Sequence, residues 1–373
     1  MRIGIDARMY GPKVGGGGLG RYVEQLVTEL QAQDQENRYV LFLKKENFDA
    51  CRIRNPHFEK RLADIHWYTA AEQLRLPAIL HRAGVDLMHF PHWNVPLLSG
   101  IPFVVTIHDL ILLEEPRSAR ATTLDPLRYR IKYEAYRLAV RHALQKSRRI
   151  IAVSQTTKDA IQRFFPDVLE GKIDVVYEGL TTWQKPEGAE PAPPVSGPFV
   201  LYVGNAYPHK NLEALLEAFV RIARSDIHLV LAGPDDMFYA RLRARAASLP
   251  LPAGVIHFVP SPDDAAVAAL YRQASLYVFP SRIEGFGLPP LEAMAQGVPV
   301  AASNRSAMPE ILGDAVAYFN PTDSVDMATV IQRVLSDAGE REVLRIRGFE
   351  RVKKYAWGTM AREIRDVYRR SAL

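Results

Sequence analysis

Residues 276–302 read Leu-Tyr-Val-Phe-Pro-Ser-Arg-Ile-Glu-Gly-Phe-Gly-Leu-Pro-Pro-Leu-Glu-Ala-Met-Ala-Gln-Gly-Val-Pro-Val-Ala-Ala. The apolar run Leu276–Phe279 predicts a short strand. A loop with two glycines follows, then a helix over Leu288–Gln296, then a second apolar strand over Val298–Ala302. Strands this short and this evenly apolar are buried on both faces, as in a parallel sheet covered by helices. The alternation continues on both sides. Phe199–Val203, Ile227–Ala232, Val255–Phe258 and Val316–Phe319 read as strands. Asn211–Arg224, Phe238–Ser248, Asp263–Gln273, Ser324–Asp337 and Glu340–Lys353 read as helices. This is the βα pattern of a doubly wound α/β domain.

The first half of the chain follows the same plan. Arg2–Asp6, Tyr39–Leu43, Ile65–Tyr68, Asp86–His89, Phe103–Thr106, Ile150–Val153 and Ile173–Val176 read as strands, with a glycine cluster, Gly15–Gly18, before a helical pattern over Leu19–Gln31. Between the halves, residues 185–198 hold five prolines and two glycines, which no regular element accommodates. The expected division is therefore a domain over 1–180, a linker over 181–198 and a second domain over 199–357. A length of 373 residues suits two such domains.

Composition narrows the class. Apolar residues make up 48% and charged residues 24%, as in ordinary globular proteins. No apolar run reaches the roughly 18 residues of a membrane-spanning helix, and the N-terminus lacks a secretory pattern, so a cytoplasmic location is expected. Cys51 is the only cysteine, which excludes an intrachain disulfide and a cysteine-based zinc site. The net charge of +5 belongs to the first half, where residues 1–180 hold 26 Lys/Arg against 21 Asp/Glu; residues 181–373 hold 21 of each. Ten basic and two acidic residues fall between Arg117 and Arg149. Such a stretch suits an anionic membrane surface, through peripheral docking on the inner leaflet, or a phosphorylated acceptor; it also suits a solvated helix face. Only Tyr129, Tyr133 and Tyr136 interleave it and no nucleic-acid motif accompanies it, so nucleic acid is not an expected partner.

Ligands of open parallel sheets bind at the carboxyl ends of the strands, so chemistry is sought there. Four places qualify. Gly15-Gly16-Gly17-Gly18-Leu19-Gly20 lies between a strand and a helix, where backbone N–H groups and the helix dipole can meet a phosphate; a plain flexible turn explains it equally. His108-Asp109 directly follows a strand; the histidine could donate to a substrate hydroxyl or be satisfied by its neighbours. Val203-Gly-Asn-Ala-Tyr-Pro-His-Lys-Asn-Leu212 puts Lys210 near a helix N-terminus, an unfavourable place for a cation unless an anion shares it. In Glu284-Gly-Phe-Gly-Leu-Pro-Pro-Leu-Glu292, Glu292 sits about one turn into a helix, where a carboxylate can take ribose hydroxyls or simply stabilise the dipole. His89 and His92 flank Pro91, which keeps a helix from presenting both, and no further ligand joins them; no metal site is expected.

At these residues the sequence resembles the retaining glycosyltransferases of family 4, the "group 1" type with the GT-B fold. The resemblance spans the glycine loop at 15–20, His108-Asp109, Ala152-Val153-Ser154, Val203–Leu212, and Glu284–Glu292 with its continuation Ala-Met-Ala-Gln-Gly-Val-Pro-Val at 293–300. It implies two Rossmann-like domains facing each other across a cleft, with helix 358–370 packing back on the first. It implies that Gly17 and Gly18 meet the donor diphosphate through the backbone, that His108 contacts the transferred sugar, and that Lys210 neutralises the leaving diphosphate. Glu284 would hold sugar hydroxyls, Phe286, Gly287 and Leu288 would present N–H groups, and Glu292 would bind the ribose. Many relatives carry Arg where this chain has Asn205; Arg282 or Arg21 are the substitutes the sequence offers.

The implied partners are a nucleotide-sugar donor and a glycan or lipid-diphosphate acceptor, with no cofactor and no metal. The phrases around Lys210 and Glu284 resemble mannosyl- and rhamnosyltransferases of surface polysaccharide assembly. That makes GDP-mannose the first donor, with dTDP-rhamnose or a UDP-sugar as alternatives. A nucleotide-sugar 2-epimerase shares the architecture. A dinucleotide oxidoreductase is disfavoured, because the glycine loop starts well after its strand and the acidic partner is missing. A non-catalytic binding protein is disfavoured by the intact site residues.

Overall fold

A computed structural model describes residues 1–116, 126–181, 183, 191–222, 224–252 and 254–372. Part of the expected linker, 184–190, and the start of the basic stretch, 117–125, lie outside the described residues. The chain forms two compact units. The first holds 1–113, 126–179 and 356–372; the second holds 180–355 together with 114–116.

The first unit is built on seven parallel strands: β1 (Arg2–Asp6), β2 (Arg38–Leu43), β3 (Phe58–Leu62), β4 (Leu87–Phe90), β5 (Phe103–Ile107), β6 (Arg149–Ala152) and β7 (Ile173–Val175). Their order across the sheet is β3-β2-β1-β4-β5-β6-β7. Period-two alternation feeds a core on each face. Tyr39, Leu41 and Leu43 pack toward the helices Gly17–Gln33 and Trp357–Ala372, while Val40 and Phe42 pack toward Ala70–Arg82 and Pro126–Lys146. The terminal helix belongs here because Trp357, Met360, Ala361, Ile364, Val367 and Tyr368 recur at helical spacing and are all buried. A buried polar chain pins it. The Tyr368 hydroxyl meets His89 Nδ1 at 2.7 Å, His89 Nε2 meets Thr106 Oγ1 at 2.8 Å, and Tyr22 reaches the same Oγ1 at 3.1 Å. Burial pushes the His89 imidazole down to about 3, so it stays neutral.

One strand expectation is corrected. The third strand is Phe58–Leu62 rather than Ile65–Tyr68. It pairs at the sheet edge, with Phe58 beside Tyr39 and their rings stacked at 4.4 Å. Edge strands are half-exposed and carry charge, so Glu59-Lys60-Arg61 hides this one from an apolar search. Residues 65–68 form no strand, and Tyr68 with φ 61° departs from extended backbone.

The second unit is a six-stranded parallel sheet of order β10-β9-β8-β11-β12-β13. Its strands are β8 (Phe199–Val203), β9 (His228–Gly233), β10 (Ile256–Pro260), β11 (Leu276–Phe279), β12 (Val300–Ser303) and β13 (Ala317–Phe319). Helices Leu212–Ile222, Met237–Ala247, Asp264–Gln273, Leu288–Ala295, Ser324–Ser336 and Ala338–Val352 alternate with them. Each unit is therefore a doubly wound α/β layer structure.

Candidate active site

In the second unit, the turns after β8 and β11 meet at the carboxyl ends of two neighbouring strands. The first turn is a short 3-10 segment, Pro208–Lys210, closed by Asn211 at φ 64°. Asn tolerates this left-handed conformation better than most residues. Its side-chain amide donates to the carbonyls of Pro280 (3.1 Å) and Pro321 (2.7 Å), tying three loops together. The Arg282 N–H donates to the His209 carbonyl at 2.8 Å, a second tie between the turns. Within this frame the Lys210 ammonium donates to Glu284 Oε1 at 2.6 Å, with the two side chains only 15% and 10% exposed. The ammonium also lies 5.7 Å from the Phe279 ring centroid. Ser306, itself at φ 56°, fixes the Glu284 backbone: its Oγ accepts from the N–H and donates to the carbonyl.

A cation and a carboxylate in contact near a helix start can divide the work on a charged sugar ligand. The ammonium has two further donors for phosphate oxygens, and the carboxylate has a second oxygen for hydroxyls. The helix that follows begins at Leu288, capped by Gly287 at φ 93°. That φ favours glycine, and a Cβ there would also lie 2.5 Å from Met308 Cε, which would have to move. Pro289 and Pro290 bring no N–H, so the donors at this helix start are those of Phe286, Gly287 and Leu288. Phe286 is buried edge-on against Tyr355. Glu292 is buried in the same helix and accepts from the Tyr271 hydroxyl at 3.3 Å.

One expectation about charge changes here. Arg282 does not present an open fork: Nε and Nη2 bind both Glu115 oxygens, at 3.0 and 2.8 Å. Asn205 lies in the turn after β8, where its carbonyl accepts from Tyr202. Lys210 is thus the cation that this turn contributes. A cavity of about 550 Å³ in this unit, lined by Pro198, Ile227, Ser275 and Pro299, opens at the amino ends of the strands, the wrong end for a ligand of such a sheet.

In the first unit, the glycine run is more helical than expected. The long helix starts at Gly17 rather than Leu19, and a short helix Pro12–Gly15 precedes it. Cβ atoms on Gly15 and Gly20 would lie about 2 Å from the carbonyl oxygens of Met9 and Gly11, whereas Gly16, Gly17 and Gly18 face open space. The outer two glycines serve packing, and Gly17 and Gly18 lie at an exposed helix start.

His108 follows β5 and has both ring nitrogens engaged. Nδ1 meets Glu178 Oε1 at 2.8 Å, and Nε2 meets the Pro91 carbonyl at 2.9 Å. Tyr22 closes over it edge-on at 4.7 Å. Burial alone would lower its pKa; the hydrogen bond and charge of Glu178 outweigh that and hold it above 6.5. With acceptors on both sides, the ring is set up as an imidazolium, and neither nitrogen is left open toward a sugar as the resemblance implied. The sign follows from linkage. A raised folded pKa gives stability that is complete below 6.5 and is lost as pH rises through the folded value. Glu178→Gln removes the carboxylate and leaves the burial. Proton NMR of the His108 ring should then find it titrating below 6.5 in the variant and above 6.5 in the wild type; equal midpoints would refute the pairing.

Glu178, Asn211 and the buried Arg8–Glu72 pair described below escaped the sequence reading. Glu178 could have been found, since it too follows a predicted strand end.

The family described as Glycosyltransferase Family 4 matches residues 16–184, and Glycosyl transferases group 1 matches residues 185–351. The O-antigen chain mannosyltransferase RfbU of Salmonella typhimurium is 26% identical over 294 residues, covering 78% of this chain and 76% of the relative. O-antigen chain mannosyltransferase B of Escherichia coli is 32% identical over 178 residues, 46% of this chain and 45% of the relative, so the match spans less than half of that protein. Among solved structures, sucrose-phosphate synthase from Thermosynechococcus elongatus superposes with a TM-score of 0.76 at 22% identity, covering 99% of this chain and 98% of the other. That likeness shows the fold. With each half of the chain matched by one of the two families, the protein belongs to the group 1, family 4 glycosyltransferases.

Proposed function

We propose that this protein transfers a hexose, mannose from GDP-mannose in the first instance, to a glycan or lipid-linked acceptor during surface polysaccharide assembly, with retention of anomeric configuration and without a metal. The observation that carries the reading is the Lys210–Glu284 pair at the carboxyl ends of β8 and β11. Cleaving a sugar–diphosphate bond builds negative charge on the leaving group, and a fixed ammonium stabilises it with no reorganisation. Glu284 holds sugar hydroxyls, Glu292 takes the ribose, and the N–H groups of Phe286, Gly287 and Leu288 receive the phosphates; in the first unit, Gly17 and Gly18 offer N–H groups to phosphate. The departing phosphate accepts the acceptor's proton on the same face of the sugar. His108 acts as a fixed positive charge rather than a nucleophile. Two O-antigen mannosyltransferases among the relatives support mannose; dTDP-rhamnose, UDP-sugars and 2-epimerisation are the alternatives.

A membrane-bound acceptor is supported by the helix Pro126–Lys146. Ile131 and Leu138 are exposed at 62% and 67% and share a face flanked by Arg130, Arg137 and Arg141 on one side and Lys132 on the other. Apolar stripes bordered by cations suit an anionic leaflet. No described helix is long and apolar enough to cross a membrane. The deciding experiment offers GDP-mannose, dTDP-rhamnose, UDP-glucose and UDP-N-acetylglucosamine with membrane extract as acceptor and EDTA present, and measures partition of the protein onto vesicles rich in anionic lipid. Turnover of GDP-mannose to an α-linked product, with vesicle binding that fades at high salt, is expected. A free 2-epimer would replace transfer by epimerisation, and salt-insensitive partition would remove the membrane reading.

A further inference from the structure

We propose that Tyr68, His92 and Trp93 form a saccharide platform in the first unit, which binds a pyranose ring by stacking it on the Tyr68 face. Calling that saccharide the acceptor glycan rests on the function proposed above; saccharide binding itself does not.

The platform stands on the loops after β3 and β4. In the sheet order, β1 and β4 are the neighbours from which the strand sequence runs in opposite directions, and the crevice at such a point is where these sheets take ligands. Trp93 is backed by Tyr136 edge-on, with centroids 4.8 Å apart. Tyr68 stacks on Trp93 at 5.2 Å and 23° between planes, and His92 meets Tyr68 edge-on at 6.0 Å. Although the stack covers one face of Tyr68, the residue remains 54% exposed.

The backbone of Tyr68 is strained, with φ 61°, a conformation bulky side chains rarely adopt. Such strain persists only where the surroundings over-determine it, and it gathers at functional sites. Here the surroundings are a buried ion cluster. Glu72 Oε2 accepts from the Tyr68 N–H at 2.9 Å, and both Glu72 oxygens accept from Asn94 at 2.7 and 2.8 Å. Arg8 donates to Glu72 (2.6 Å) and to the Ile65 carbonyl (3.2 Å). One carboxylate therefore fixes the loop that carries Tyr68 to the loop that carries Trp93. Holding an aromatic ring outward, against its own torsional preference, serves a ligand with a flat apolar face. A pyranose has that face, made of C–H groups, and a rim of hydroxyls for the Tyr68 hydroxyl and the His92 ring.

The test is titration of the full chain, without nucleotide, with α-linked mannotetraose, read by tryptophan fluorescence. Wild type and Tyr68→Phe should bind within about threefold of each other, and Tyr68→Asn about tenfold or more weakly. Asn tolerates the positive φ, so its melting temperature should stay near that of wild type. Ring resonances of Tyr68 and Trp93 shifting in the wild type on addition of mannotetraose give a readout that needs no variant. Absence of saturable binding up to about 10 mM, or Tyr68→Asn binding as tightly as wild type, overturns the platform. Donor turnover measured in parallel judges the transferase reading separately: binding without turnover leaves the platform standing and removes the word acceptor.

Discussion

Lys210→Ala should lower kcat/KM for the nucleotide-sugar donor by about two to three orders of magnitude, the usual effect of removing one preorganised donor from a developing anion. The loss has two parts. The ammonium that stabilises the leaving diphosphate disappears, and Glu284, whose side chain is 10% exposed, is left as an unbalanced carboxylate beside the phosphates. The second part is separable. Glu284→Gln alone should lower transfer while keeping nucleotide affinity. In the Lys210→Ala, Glu284→Gln double variant, nucleoside diphosphate should bind more tightly than in Lys210→Ala. A double-mutant cycle on affinity and turnover measures this coupling. Turnover in Lys210→Ala within tenfold of wild type would remove Lys210 from the reaction.

Glu72→Ala should destabilise the protein by about 3–5 kcal/mol, the range for breaking a buried ion pair by deleting one partner. Glu72 is fully buried and Arg8 is 2% exposed. Burial would lower the Arg8 pKa, yet Asp6 and Glu72 more than reverse this and hold the guanidinium charged. Removing Glu72 leaves that charge with Asp6 alone and orphans the Asn94 amide and the Tyr68 N–H. For a unit of this size the melting temperature should fall by roughly 6–20 °C. Glu72→Gln keeps the shape and loses the charge, so it should fall between wild type and Glu72→Ala in a denaturant titration. A Glu72→Ala variant as stable as wild type would mean that the cluster does not hold the two loops.

The architecture was legible in the sequence because buried parallel strands announce themselves. Short runs such as Phe199–Val203 and Leu276–Phe279 are apolar on both faces, and the helices between them keep a 3.6-residue period. The donor-side residues were legible for a related reason. Strand–turn–helix units place the residues after each strand at one edge, so Lys210 and Glu284, 74 positions apart, could be assigned to the same edge. Which partner each would take could not. Arg282 looked like a free cation until folding laid Glu115 against it, and whether His108 meets a substrate or its neighbours was open until Glu178 and the Pro91 carbonyl engaged both nitrogens. The edge strand Phe58–Leu62 was hidden because exposure removes the apolar signal. The Arg8–Glu72–Asn94 cluster was hidden because its members are 64 and 22 residues apart and no periodicity links them. Sequence alone determined the buried strands, the helices between them and the strand ends where chemistry gathers, since these depend on local patterning. Only the tertiary structure decided which charges are neutralised, which histidine is held between two acceptors and which tyrosine is held outward, because pairing and desolvation arise when distant segments come together.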